Sequence, residues 1–338
     1  MKLEEKELLK YVGNMSQISD IREMVFESGK SRGMRVYQVQ AGNGLIFDLL
    51  PDKCLDIARL CYKGININWQ AKNGFCSPAG AHPVKNEFDR YFSGGMMLTC
   101  GLKNTGPDYT DAAGYFQPLH GRLGITPCEQ SYYRCYFDES GDYTLEAGGV
   151  VRDSVLGGHN LTLTRTIKTS FAKPVISIED VLENQEPTDT DYVILYHFNF
   201  GYPFVSPDLK MVFPDAVTPI KPRTPAAEKN LNRWQKMESP EDNFEENCYF
   251  HDLQPEKDGY SRVKLVNEKL GISASLAYGK RSLPVLTEWK SIRSGEYVLG
   301  IEPGNSYISG MDNERKNGRV GKIAAFGREV FHLELSFE

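Results

Sequence analysis

The sequence predicts an all-β protein built from two stacked antiparallel sheets, with one short helix at its N-terminus. Apolar and polar residues alternate with a period of two along most of the chain after residue 17, and turn signals recur roughly every 8–15 residues. The chain contains 31 glycines, 18 tyrosines and 17 phenylalanines, which suit strands joined by tight turns. Since almost no helix longer than about ten residues is required after residue 15, we expect a single domain over residues 1–338.

The predicted elements follow one another along the chain with few interruptions. Residues 3–12 have apolar side chains at helical spacing and predict a helix within an N-terminal extension over residues 1–15. Residues 42–44 (Gly-Asn-Gly) are a hairpin-turn signal. Residues 71–90 predict a loop, and the polar segment 224–247 predicts a surface excursion over the sheet edge rather than a linker between domains. The predicted strands cover residues 34–39, 45–50, 54–61, 65–69, 94–104, 143–147, 161–167, 175–182, 192–200, 262–266, 271–278, 283–289, 297–301, 323–326 and 329–337.

Composition and charge argue against several classes of function. The net charge of -6 and the lack of basic clusters argue against nucleic-acid binding, and no run of about 18 apolar residues could span a membrane. The first residues are charged where a signal peptide needs an apolar stretch, so we expect a cytoplasmic protein. The seven cysteines are odd in number and form no CxxC pair, which indicates reduced thiols rather than a zinc site or a disulfide framework.

Residues 297–305 carry the first candidate for chemistry. Residues 297–301 are typical of a short buried strand, and Pro303 and Gly304 predict that the chain turns directly after Glu302. A carboxylate at the end of a buried strand is well placed to have a raised pKa and to act as a general base. The same position also suits a strand-end residue whose oxygens accept hydrogen bonds from neighbouring backbone N–H groups.

Two histidines occupy similar positions, where an apolar stretch meets a turn. His120 lies between Leu119 and Gly121, and His197 shares one face of a predicted strand with Asn199. Two histidines and one carboxylate suffice for paired acid and base work on a hydroxyl and an ether oxygen. Two other readings stay open. Each histidine could be a hydrogen-bonded core residue, or the three groups could be a metal-binding triad, although the short HxH or HxxxE spacing of many metal ligands is missing.

Four segments together carry a resemblance to a known family: residues 94–106, 119–122, 196–203 and 297–305. In their order along an all-β chain they resemble the aldose 1-epimerase (galactose mutarotase-like) superfamily, and more closely its branch named DUF4432. The resemblance extends from about residue 30 to the end of the chain. It implies a β-supersandwich that holds a sugar in an open cleft on one sheet.

The resemblance also implies roles for the three candidate residues. Glu302 would take the proton from the C1 hydroxyl, His197 would protonate the ring oxygen, and His120 would bind and polarise the oxygens near C1. The ring would open, the C1–C2 bond would rotate, and closure would give the other anomer. Such chemistry needs no cofactor, because both proton transfers are within reach of positioned side chains.

Other residues are candidates for contacts with the substrate. The studied mutarotases have an Arg upstream of their Leu-His-Gly segment and an Asp on a later strand, and this sequence offers several residues for each position. Trp289 offers a ring for stacking on a sugar, although a core position fits it equally well. The predicted substrate-binding residues are Arg59, Arg122, Asn199, His251, Asp252, Trp289 and Asn305.

The sequence therefore favours a cofactor-independent sugar mutarotase or related epimerase that acts on a small-molecule carbohydrate as a monomer or homodimer. One alternative is a metal-dependent isomerase, epimerase or lyase that uses His120, His197 and Glu302 as ligands. The other is a carbohydrate-binding protein that has kept the cleft but does not turn over its ligand. The presence of an acid–base set argues against the second alternative, since binding alone does not need one.

Overall fold

The computed structural model describes residues 5–82, 84–85, 87–112, 114–214 and 220–338. Strands dominate these ranges, and the helices within them are short. A membrane-crossing helix, long and apolar enough to span a bilayer, is not found in this described part of the chain. The α-helices are α1 (Glu5–Leu8), α2 (Phe88–Tyr91), α3 (Pro225–Lys229) and α4 (Met311–Lys316). Short 3₁₀ turns lie at Met15–Gln17, Gly29–Ser31, Pro78–Gly80, Leu123–Ile125 and Leu231–Arg233.

The strands follow the alternating pattern of the sequence closely. They are β1 (Asp20–Val25), β2 (Arg35–Gln40), β3 (Leu45–Leu50), β4 (Asp56–Tyr62), β5 (Ile65–Asn66), β6 (Met97–Leu102), β7 (Tyr109–Thr110), β8 (Phe116–Gln117), β9 (Gln130–Phe137), β10 (Tyr143–Ser154), β11 (Asn160–Ser170), β12 (Val175–Asn184), β13 (Thr190–Gly201), β14 (Leu209–Val212), β15 (Lys221–Pro222), β16 (Asn247–His251), β17 (Tyr260–Asn267), β18 (Ile272–Gly279), β19 (Val285–Arg293), β20 (Glu296–Gly304), β21 (Gly321–Ile323) and β22 (Arg328–Phe337).

Two large sheets form the body of the protein. One has eight strands in the order β14-β17-β18-β22-β12-β11-β10-β9, and the other has seven, in the order β15-β16-β19-β20-β13-β21 with β6 also paired to β13. Strands β1 to β5 form a smaller sheet, and β7 and β8 form a hairpin. The ladders between these strands are antiparallel. This architecture confirms the predicted all-β sandwich.

The core lies between the two large sheets, and the site lies on the far face of one of them. Phe331 and Leu333 of β22 belong to the same buried cluster as Tyr196 and Phe198 of β13. Because successive residues of a strand point to opposite faces, His197 points away from this core. A second, smaller apolar cluster covers that opposite face and includes residues of β6, β13 and β16. Strand β13 is therefore buried on both faces, which fits its almost continuous apolar sequence.

A buried ionic network lies directly behind the site. The Arg165 side chain is completely buried, and its guanidinium donates to Asp180 at 2.9 and 2.6 Å and to Asp56 at 2.7 Å. The hydroxyl of Tyr196 donates to Asp180 at 2.7 Å, and Thr99 accepts from Arg165 at 2.8 Å. Since Tyr196 precedes His197 in β13, this network holds the strand that carries the histidine.

The structure differs from the predicted elements at several places, among them the predicted strand 323–326, of which only Ile323 lies in a strand, β21. The N-terminal helix covers only Glu5–Leu8, and residues 1–4 of the predicted helix lie outside the described residues. The predicted strand 65–69 forms ladder pairs only at Ile65–Asn66. Strand β20 does not end at Glu302 but continues to Gly304. The predicted surface excursion over residues 224–247 contains α3, and its Met237 and Phe244 side chains are buried in the main core.

Candidate active site

The register of two neighbouring strands places Glu302 beside His197. The β13–β20 ladder pairs Phe198 with Ile301, so His197 and Glu302 are the next residues along the two antiparallel strands and point to the same face. Pro303 has no N–H, and the ladder is interrupted at this point, which allows a proline inside a central strand. The His197 Nε2 atom lies 3.2 Å from the Glu302 Oε1 atom.

Both groups of this pair are buried and incompletely hydrogen-bonded. The Glu302 side chain is 1% exposed and the His197 side chain is 8% exposed. Within the described residues, Glu302 Oε1 and His197 Nδ1 have no partner with hydrogen-bond geometry. Buried polar atoms are normally hydrogen-bonded, so two such atoms without a partner on neighbouring side chains mark this place as a candidate functional site.

Burial controls the charge of the pair. It raises the pKa of Glu302 well above its usual range, and the nearby Glu246 carboxylate raises this pKa further, whereas the Arg223 guanidinium lowers it. Burial lowers the pKa of His197 to about 3, with a further contribution from His120. Burial thus favours the uncharged form of both groups, and moving the proton of a neutral Glu302 carboxyl group to His197 creates a carboxylate base beside an imidazolium acid.

His120 completes the group of candidate catalytic residues. Its backbone has a φ of 59°, and its Nδ1 accepts a hydrogen bond from the Gly106 N–H at 3.3 Å. The centre of its ring lies 6.1 Å from that of His197. Burial and, to a smaller extent, the charge of Arg223 together lower the pKa of His120 to about 4. A neutral ring that accepts at Nδ1 carries its proton on Nε2, so His120 is a hydrogen-bond donor for a ligand.

These residues open into one cavity of about 740 Å³, which we call the site cavity. Aromatic rings form its walls. The Trp69 and Trp289 rings meet edge to face at 5.7 Å, and the Trp289 ring lies 5.4 Å from that of His197. The Trp289 Nε1 donates to Glu246 at 2.8 Å. The residues that line the site cavity include Trp69, Lys72, Phe88, Asp89, Phe92, His120, His197, Arg223, Glu245, Glu246, Cys248, Trp289, Arg293, Glu296, Glu302 and Ile308.

Gly300 provides space for the Glu302 carboxylate. It lies two residues before Glu302 on the same face of β20 and is paired with Trp289 of β19. A Cβ atom at this position would lie 2.5 Å from Glu302 Oε1 and 3.0 Å from the Trp289 Cβ. Any residue larger than glycine would therefore displace either the carboxylate or the indole.

The structure brings four of the predicted site residues to the site cavity, namely Glu302, His197, His120 and Trp289. Asn199 lies close by but serves the backbone, because its Nδ2 donates to the carbonyl oxygens of Gly95 at 3.1 Å and of His197 at 3.0 Å.

Three other predicted residues lie elsewhere. Arg59 is exposed on the five-stranded sheet, 3.9 Å from Asp48. Arg122 donates to Gln117 at 3.1 Å and lines a separate cleft of about 800 Å³. Asn305 accepts a hydrogen bond from a backbone N–H of β13 at 2.8 Å. Each side chain thus has a local partner that holds it away from the site cavity.

The last two predicted substrate contacts are also separated from the site cavity. His251 lies on the opposite face of the sheet, where its Nε2 is 2.9 Å from Glu288 Oε2 in a buried pair. Asp252 forms an ion pair with Lys280. The alternation along β16 explains this placement, because Cys248 and Phe250 face the site side while His251 faces the other way.

The sequence analysis missed Arg223, Trp69, Phe88 and Phe92. The segment 71–90, predicted as a loop, runs into α2 at Phe88, and the two phenylalanines at i and i+4, Phe88 and Phe92, are the signal of an apolar helix face. Arg223 has no such signal, because only the pairing of β15 with β16 brings it to the site cavity.

Over residues 5–338, apart from the eight undescribed positions, no group of three or more His, Cys, Asp and Glu side chains is arranged to hold a metal ion. The site instead offers a hydrogen-bond donor, a proton-sharing pair and aromatic walls.

Comparisons with known proteins agree with this fold. Residues 31–337 match the model of the family described as "Domain of unknown function (DUF4432)". A Klebsiella pneumoniae subsp. pneumoniae MGH 78578 protein, provisionally named an aldose 1-epimerase, has a similar structure, with a TM-score of 0.88 and 26% identity over 96% of this chain and 86% of its own. No curated protein sequence matches the chain.

Two more distant structures share the fold. A galactose mutarotase-like protein from Clostridium acetobutylicum has a TM-score of 0.65 and 12% identity, covering 95% of this chain and 99% of its own. The galactose 1-epimerase from Lactobacillus acidophilus NCFM has a TM-score of 0.59 and 11% identity, also covering 95% and 99%.

Proposed function

The chain belongs to the DUF4432 family and shares the fold of galactose mutarotase-like proteins, and from this premise and the geometry of its site we propose that it is a cofactor-independent sugar mutarotase. It interconverts the anomers of an aldose by acid–base ring opening. The observation that carries the proposal is the buried pair of Glu302 and His197, with 3.2 Å between Oε1 and Nε2, at the wall of a cavity lined by aromatic rings.

The pair supplies the one base and one acid that ring opening needs. The Glu302 carboxylate accepts the proton of the C1 hydroxyl, and the His197 imidazolium donates a proton to the ring oxygen. The electrons of the C1 O–H bond form the C1 carbonyl, and the bond from C1 to the ring oxygen breaks. Rotation about C1–C2 and the reverse transfers give the other anomer, so the pair ends with the same single proton.

The separation of the two groups suits this chemistry. The C1 hydroxyl and the ring oxygen are attached to the same carbon, so their base and acid need not be far apart. Substrate binding also favours the active proton distribution. Hydrogen bonds donated by the sugar hydroxyls stabilise the ionised Glu302 carboxylate. The positive charge of Arg223 acts in the same direction, against the effect of burial.

The other residues of the cavity bind and polarise the sugar. The Nε2–H of His120 donates to an oxygen near C1, and the rings of Trp69, Phe92 and Trp289 pack against the apolar face of the sugar. These contacts hold C1 at the proton-sharing pair.

Saturation-transfer NMR of anomer exchange across a panel of aldoses tests the proposal. We expect wild type, dialysed against chelator, to accelerate exchange of at least one aldose and Glu302→Gln to abolish the acceleration, since the amide cannot accept the proton. Exchange restored only by added divalent metal would instead favour the metal-dependent alternative. Sugar binding that persists in both proteins without exchange in either would favour a carbohydrate-binding protein.

A further inference from the structure

The site cavity is a groove that runs along strands β19 and β20. Its lining residues on these strands are Trp289, Ser291 and Arg293 of β19 and Glu296 and Glu302 of β20. They belong to one face, because they lie an even number of residues apart on each strand and the ladder pairs Arg293 with Glu296. Since a strand rises about 3.3 Å per residue, the groove extends about 20 Å from Glu302 to Glu296. It is therefore much longer than the reacting pair alone requires.

Trp69 lies over this groove, between its two ends. The Trp69 backbone N–H donates to the Asn199 carbonyl oxygen at 2.9 Å, and a Cβ atom at Gly201 would lie 2.6 Å from the Trp69 Cα. Because Gly201 has no side chain, the Trp69 backbone can approach the sheet closely. Gly201 pairs with Val298. The Trp69 backbone is therefore held at the level of Val298, about 13 Å along β20 from Glu302.

The aromatic rings of the groove form two successive layers. The rings of Trp289 and Phe92 lie 5.4 and 5.6 Å from the His197 ring and thus stand beside the reacting pair. The Trp69 ring lies 5.7 Å from that of Trp289 and 5.9 Å from that of Phe92. Among the described residues, the Trp69 ring makes no contact with the His197 ring. Trp69 therefore offers an apolar ring face to a part of the ligand that lies beyond the first layer.

The far end of the groove is polar and accessible. Glu296 forms ion pairs with Lys72 and with Arg293, and all three residues line the site cavity. Their side chains are between 31% and 73% exposed, so a ligand in the groove can reach them. Ammonium and guanidinium groups donate hydrogen bonds and a carboxylate accepts them, which matches the hydroxyl groups of a sugar. An aromatic ring followed by such groups suits a second sugar unit.

One sugar ring is too short to reach this end of the groove. A six-membered ring with bonds of about 1.5 Å is about 3 Å across, and about 6 Å across with an oxygen atom on each side. With its C1 at Glu302, such a ring reaches the level of Gly300 and Trp289, about 7 Å along the strands, and ends short of the level of Val298. C4 lies opposite C1 in the ring, so a sugar joined through the C4 oxygen extends away from the reacting pair.

We propose that the substrate is the reducing-end aldose of a 1,4-linked disaccharide or longer oligosaccharide, and that Trp69 stacks on its second sugar unit. The inference rests on the proposed function, because it names the substrate class of the same site. Glu302 and His197 act on the reducing unit, which has the free C1 hydroxyl, and the bond between the two units stays intact. Since the second unit takes no part in the proton transfers, its contact with Trp69 strengthens binding of substrate and transition state alike and acts mainly on KM.

The test compares anomer exchange of disaccharides with that of the aldose at their reducing end. Maltose, cellobiose and lactose are compared with D-glucose, 1,4-galactobiose with D-galactose, and 1,4-xylobiose with D-xylose. We expect the kcat/KM of wild type to be about 10-fold higher for at least one disaccharide than for its aldose, as one aromatic stacking contact provides.

Three variants, shown to be folded by urea denaturation, assign this preference to Trp69. Trp69→Leu should reduce the ratio of the two kcat/KM values by about 10-fold, mainly through the KM of the disaccharide. Trp69→Phe keeps a ring and should reduce the ratio less. Trp234→Leu is the matched control and should retain the ratio, because Trp234 is half-buried like Trp69 but packs on Phe213 and His251 outside the site cavity.

The outcomes separate this inference from the proposed function. Equal kcat/KM for every disaccharide and its aldose, or a ratio that both Trp69 variants leave unchanged, would overturn the inference while the mutarotase proposal stands. Titration calorimetry with the same sugars covers the remaining case. If wild type exchanges no sugar but binds a disaccharide more tightly than its aldose in a Trp69-dependent manner, the second sugar position stands and the mutarotase proposal fails. If it neither exchanges nor binds any of these sugars, both fail.

Discussion

Gly300→Ala tests the geometry of the site without replacing a titratable group. The added Cβ would lie 2.5 Å from Glu302 Oε1, whereas ordinary contact begins at 3.4 Å. The carboxylate must therefore move by about 0.9 Å, and a misplacement of about 1 Å costs roughly 100-fold in rate when groups must be aligned. The Trp289 Cβ, at 3.0 Å, limits relaxation in the other direction.

We expect Gly300→Ala to lower kcat/KM for anomer exchange by about 100-fold and to cost about 1–3 kcal/mol of unfolding free energy through overpacking. Anomer-exchange NMR measures the first effect and urea denaturation the second. Gly13→Ala is the matched control, because a Cβ at Gly13 meets nothing within 4 Å. If Gly300→Ala is as active as Gly13→Ala, the Glu302 carboxylate does not need the position that the structure gives it, and the reasoning is refuted.

Two further predictions concern the frame behind the site and the charge of the pair. Arg165→Met leaves Asp180 and Asp56 buried without their cation. We expect it to lower the unfolding free energy, measured by urea denaturation, by about 3–5 kcal/mol. A loss below about 1 kcal/mol would show that the network does not stabilise the fold. The His197 pKa is lowered from 6.5 to about 3, so between these values the unfolded chain binds more protons at this residue than the folded one. Its contribution to stability is therefore fully present above pH 6.5 and is lost as the pH falls toward 3. The difference in unfolding free energy between wild type and His197→Gln, measured by denaturation, should accordingly shrink or change sign as the pH falls through this range. A difference that does not vary with pH would contradict the burial of a neutral imidazole.

The sequence predicted most strands because local pattern and tertiary packing agree there. The alternation of residues 329–337 matches β22, and the Gly-Asn-Gly signal at 42–44 connects β2 to β3. The end of β20 was predicted wrongly, because Pro303 is a strand breaker by local rules. It is tolerated where the ladder to β13 is already interrupted beside His197.

The candidate site was predictable where its residues belong to one short sequence motif, and not where residues distant in sequence come together in space. Glu302 and His197 were identified from their motifs, although only the strand register shows that they touch. Arg223 reaches the site through long-range strand pairing that leaves no local pattern. Arg122 and His251 were chosen by residue type, but local partners hold both away from the site cavity.

The same pair of strands offers the most direct test of the central claim. Glu302 and Glu288 are both buried glutamates beside a histidine, on opposite faces of β20 and β19, and only Glu302 lines the site cavity. Anomer exchange should be measured for wild type, Glu302→Gln and Glu288→Gln with the best aldose of the panel, after urea denaturation has shown each variant to be folded. We predict that Glu302→Gln loses the acceleration and that Glu288→Gln keeps it. Retained acceleration in Glu302→Gln, or equal loss in both folded variants, would contradict the assignment of Glu302 as the base.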